Sequence, residues 1–93
     1  MTQDTFLAVV TELKAHDIAA SFEYPGYICI PVGPTLLRFC DTYRTLYGEG
    51  IDEESGTLIE AFDSSLPANT EDVQAVADWI KGIYAFAAEC VLE

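Results

Sequence analysis

YICIPVGPTLLRFCDTYRTLYGEGIDEESGTLIEAF, residues Tyr27–Phe62, is the stretch that decides the fold. Its first two apolar runs, Tyr27–Val32 and Thr35–Asp41, are parted by the turn dipeptide Gly33-Pro34. Pro31 cannot donate to a ladder, so its end of the first strand belongs at an edge or a bulge. A third strand spans about Thr45–Ile51, and Gly48 and Gly50 within it mark a bulge. Asp52-Glu53-Glu54-Ser55-Gly56 is a turn, and Thr57–Phe62 returns as the last strand. The stretch is a strand meander.

Upstream, Tyr24-Pro25-Gly26-Tyr27 suits a type II turn, with Pro second and Gly third. That turn implies a short edge strand in Ile18–Tyr24, a segment with no decisive period of its own. Before it, Phe6, Val9, Val10 and Leu13 form one helical stripe, which predicts a helix over about 2–16. Thr2 or Asp4 caps its start, and Lys14 and His16 lie near its negative end. Downstream, Asp63–Ala68 reads as a loop. A second helix is predicted over about 70–90, capped by Asn69 or Thr70, with Glu71 and Asp72 in its first turn. Val73, Val76, Ala77, Ile80, Tyr84, Ala87, Ala88 and Val91 keep helical spacing, with Trp79 and Phe86 off the centre of the stripe. Gly82 costs that helix about 1 kcal/mol relative to Ala. The expected fold class is α+β: an antiparallel three- to five-stranded meander sheet, with the N- and C-terminal helices packed on one face.

The length, 93 residues, suits one domain over 1–93. Leu92-Glu93 is the kind of ending an expression vector leaves, and nothing is built on it. Hydrophobic residues make up 51% of the chain, too many for a disordered one. Four Lys and Arg against sixteen Asp and Glu set the net charge at −12. Such a charge repels nucleic acid and anionic membranes, and it speeds encounter with basic partners. Solubility alone is the plainer account of the same charge.

Cys29, Cys40 and Cys90 are odd in number and irregular in spacing, so they are not a disulfide framework. They predict buried free thiols in a reducing, cytoplasmic setting, with Cys29 and Cys40 as neighbours on adjacent strands. No apolar run is long enough for a transmembrane helix, and no basic segment precedes an apolar one as in a signal peptide.

Tests for chemistry return little. Read as a calcium loop from Asp52, the chain has Gly56 at position 5 and Asp63 at position 12, so the EF-hand pattern fails. Zinc lacks its third and fourth ligands. His16, the sole histidine, is best read as a solvated helix-end residue. There is no phosphate loop and no basic patch. The expectation is therefore no catalytic residue, no metal, no cofactor and no enzymatic activity.

Alternation along the strands assigns faces. The face left bare by the helices is expected to carry Tyr27, Arg38, Tyr47, Glu49, Glu60 and Phe62. The β-hairpin is expected to gather Glu49, Asp52, Glu53, Glu54, Glu60 and Asp63 in one region. Together with Tyr27 and Tyr47 these are the candidate partner-binding residues. Ordinary cross-strand pairing on a wet face is the alternative. The function expected is a small non-enzymatic binding protein that occupies a basic surface of a protein partner, such as a nucleic-acid-binding protein, its carboxylates replacing phosphates. In general type, though in no motif, such a chain is similar to phage- or mobile-element-encoded inhibitors and immunity proteins. A homodimeric module, paired through the aromatic sheet face or an edge strand, is the second reading, and a small ligand-binding domain the last.

Overall fold

Helix α1 (Gln3–Ala15) is bounded at both ends by local chemistry. The Thr2 side chain accepts the Thr5 N–H at 3.2 Å, which selects Thr2 over Asp4 as the cap. At the other end Asp17 takes φ 61, its N–H donates to the Lys14 carbonyl, and the Ile18 N–H donates to the Leu13 carbonyl. This is a Schellman ending, and Leu13 and Ile18, the pair that such an ending brings together, are both buried. The computed structural model describes residues 1–42 and 44–92. The side chains of Val91 and Leu92, and all of Glu93, lie outside what it describes.

The chain then forms β1 (Ser21–Glu23), β2 (Tyr27–Val32), β3 (Thr35–Asp41), β4 (Thr45–Asp52) and β5 (Leu58–Pro67), and ends in α2 (Val73–Leu92). The strands make one antiparallel sheet in the order β1-β2-β3-β4-β5, the α+β meander the sequence predicts. The β2–β3 turn has Gly33 at φ 58 followed by Pro34, whose ring holds φ negative. That is the II′ arrangement, whose twist matches a two-residue hairpin.

Both helices cover one face. Ile28, Ile30, Leu37, Phe39 and Leu46 from the sheet meet Phe6, Val9, Leu13, Val76, Ala77 and Ile80 from the helices in one buried cluster. Ile83, which the predicted stripe omits, is buried with them. Gly48 is required here: a Cβ at that position would lie 2.7 Å from the Phe39 ring. Its absence lets Phe39 meet Trp79 edge-on at 5.5 Å between centroids.

Four local expectations are corrected. The Tyr24–Pro25 peptide is cis and Gly26 does not take positive φ, so the β1–β2 turn is not type II. The segment Asp63–Pro67 is strand, not loop: Thr45 pairs with Pro67, and the Ser64 hydroxyl donates to the Leu46 carbonyl at 3.0 Å. Tertiary pairing overrides its polar, turn-like composition. A register shift does fall at Gly50, but its extra residue, Ile59, lies on β5, as do the extra residues, within Ser64–Leu66, of the second shift, between Thr45 and Tyr47. Finally, α2 is capped by Asp72, whose carboxylate accepts the Ala75 N–H at 3.1 Å, so Glu71 and Asp72 precede the helix.

Candidate functional site

The register sorts the bare face of the sheet into cross-strand rows. One row runs Cys29–Arg38–Glu49–Ala61. Arg38 bridges to Glu49 at 3.2 Å and lies 4.9 Å from the centre of the Tyr27 ring. Glu49 is therefore already neutralised, and Arg38 is committed between an anion and an aromatic face. The Arg38 Nε is buried with no hydrogen-bond partner. A second row holds Cys40, Tyr47 and Asp63. Tyr27 lines a shallow hollow with Cys40 and Asp41. A third row is apolar: Pro31, Leu36, Ile51 and Leu58.

Burial pushes the Cys29 thiol up to about 11, with the Glu23 carboxylate adding to the rise and Arg38 opposing it. Burial also raises Cys40, followed by the charges of Glu49 and Asp41. Desolvation raises the Tyr47 phenol, and Glu49 and Asp63 add to it. In each case the shift favours the protonated form. Cys29 is buried, Cys40 half-buried and Cys90 exposed, which corrects the expectation that all the thiols are buried.

The acidic turn stands at the sheet end. The Asp52 carboxylate accepts the Glu54 N–H at 2.9 Å, and the Glu53 N–H donates to the Pro34 carbonyl at 3.0 Å. Asp52 thus shapes the turn, while Glu53 and Glu54 have exposed side chains. The Glu53–Pro34 bond ties this turn to the neighbouring β2–β3 turn.

The expected single acidic region is divided. Glu60 pairs across from Gly50, and Phe62 across from Gly48, so both lie on the helix-bearing face. The bulge at Ile59 shifts the alternation on which the face assignment rested. Glu49 and Asp63 stay with Tyr27 and Tyr47 on the bare face, and Asp52, Glu53 and Glu54 form the tip. Among the described residues, the side-chain ion pairs join Arg38 to Glu49 and Lys81 to Glu12 and Asp78, while His16 Nε2 lies at hydrogen-bond distance, 3.2 Å, from Glu12. None of Asp52, Glu53, Glu54, Glu60 or Asp63 has a cationic partner among them.

Sequence reasoning overlooked one feature. Glu60 and Phe62 face α2 across an open groove of about 530 Å³, lined also by Asp78, Trp79, Gly82, Ile83 and Phe86. Its signal was present in Phe86 and Gly82, both off the buried stripe of α2. Among the described residues no three His, Cys, Asp or Glu side chains converge as a metal set would, and no helix is long and apolar enough to cross a membrane. No protein-family model, curated protein or solved structure matches the chain.

Proposed function

We propose that this chain is a small, non-enzymatic binding protein that occupies a basic surface of a protein partner through its acidic turn. The observation that carries the reading is the tip of the β4–β5 hairpin, where Glu53 and Glu54 are exposed and have no cationic partner among the described residues. The net charge of −12 extends the same field over the molecule. Like charges held together oppose folding, and a Lys- or Arg-rich surface would relieve that repulsion on binding. The backbone bonds at Asp52 and Glu53 pre-order the turn, which lowers the entropy lost on docking. Of the four cations, Arg38 and Lys81 are engaged in intramolecular ion pairs, which leaves Lys14 and Arg44 exposed against the acidic excess.

Because Asp52 builds the turn, the test variant is Glu53→Lys with Glu54→Lys. The partner is captured from a lysate of the source cell, identified and purified, and its affinity is measured with both proteins at low and high salt. The double reversal is expected to weaken binding about tenfold or more at low salt, with the gap closing as salt screens the wild-type attraction. Equal affinity of the two proteins at low salt would refute the reading.

A further inference from the structure

We propose that the groove between β5 and α2 is a second docking site, separate from the acidic turn, for a basic amphipathic segment of a protein partner. Its walls are Phe62, Trp79, Ile83 and Phe86, and its volume is about 530 Å³, room for one or two large side chains. Phe86 is 52% exposed, and Ile59, in the adjoining hollow beyond Phe86, is 57% exposed. Large apolar side chains massed like this on so small a molecule mark an interaction surface. Gly82 lies in the same groove, and a Cβ there would meet nothing within 4 Å. No internal packing therefore calls for glycine at that point, although it weakens the helix. Its bare backbone widens the space an incoming side chain can enter.

Charge selects the occupant. The groove lining includes two carboxylates, Glu60 and Asp78, and no cation. Asp78 accepts a hydrogen bond from Gln74 and lies 3.7 Å from Lys81, whereas Glu60 has no cationic partner among the described residues. A second copy of the chain would bring its own −12 against these carboxylates. A segment carrying Lys or Arg beside an aliphatic or aromatic anchor would fill the apolar walls and pair with Glu60.

Trp79 is the sole tryptophan, so its emission reports the groove directly. The probes are short tryptophan-free peptides of alternating lysine and leucine, lysine and serine, and glutamate and leucine. Only the lysine–leucine peptide is expected to change Trp79 emission saturably. Phe86→Ser and Glu60→Lys should each weaken it about tenfold or more, as at an interface anchor. Both side chains are exposed, and circular dichroism confirms that each variant is folded. At about 0.15 M salt, where exposed charges more than about 8 Å apart are largely screened, Glu53→Lys with Glu54→Lys should change this affinity less than Glu60→Lys does, which separates the groove from the turn. Equal binding of the lysine–serine or glutamate–leucine peptide overturns the proposal. So does an unchanged affinity in Phe86→Ser, or a dimer in sedimentation that Phe86→Ser dissociates.

Discussion

Cys29 shows how a single side chain can depart from the environment its strand position implies. Alternation puts it on the bare face, yet it is 3% exposed, across the sheet from Ser21 on one side and Arg38 on the other. Its thiol, raised from 9.0 to about 11 chiefly by burial and then by Glu23, holds its proton more tightly folded than unfolded. The contribution to stability is therefore complete below about pH 9 and is lost as the pH climbs toward about 11. Urea melts at about pH 8 and about pH 10.5 should show a larger fall for the wild type than for Cys29→Ala. The comparison of the two falls sets aside the alkaline titration of Tyr47, which both proteins share. Equal falls would show that Cys29 is wet.

At the scale of an element, α2 carries two opposite energetic signs two residues apart. Ile80 is 0% exposed at the centre of the buried stripe. Ile80→Ala should cost about 2–5 kcal/mol, the usual range for a buried large-to-small change. Gly82 sits on the open side, where an added Cβ meets nothing within 4 Å. Gly82→Ala should stabilise the protein by about 0.5–1 kcal/mol through helix propensity alone. Equilibrium unfolding of both variants checks the phase of the helix: changes of the same sign would mean that the stripe is misplaced. The stripe was readable in the sequence because a period of 3.6 survives whatever the helix packs against. Its start was not, because Asn69, Thr70 and Asp72 are all competent caps and only the fold selects among them.

For the whole molecule, a net charge of −12 on 93 residues acts as a distributed repulsion that no single pair relieves. Screening should therefore stabilise the protein. Raising sodium chloride from about 0.02 M to about 0.5 M should lift the melting temperature by several degrees, since about 1 kcal/mol corresponds to about 4–8 °C in a domain of this size. Calorimetric scans across that range check it. A flat or falling melting temperature would place the carboxylates too far apart to repel. The same repulsion argues against close self-association through either the acidic turn or the groove.

The sequence alone determined the class of the fold. Periods of 3.6 and 2, the Gly33-Pro34 turn and the Asp52–Gly56 turn are local signals, each set by covalent geometry and the nearest neighbours. It also determined the charge, which is a sum and needs no coordinates. Only the tertiary structure decided that Asp63–Pro67 pairs with β4, because the hydrogen bonds of that edge come from residues distant in the chain. Only the structure divided the carboxylates, because the bulge at Ile59 lies in the pairing and not in the composition. The groove was decided there too: its lining joins Phe62 of β5 to Phe86 of α2, residues distant in the chain that no local pattern brings together.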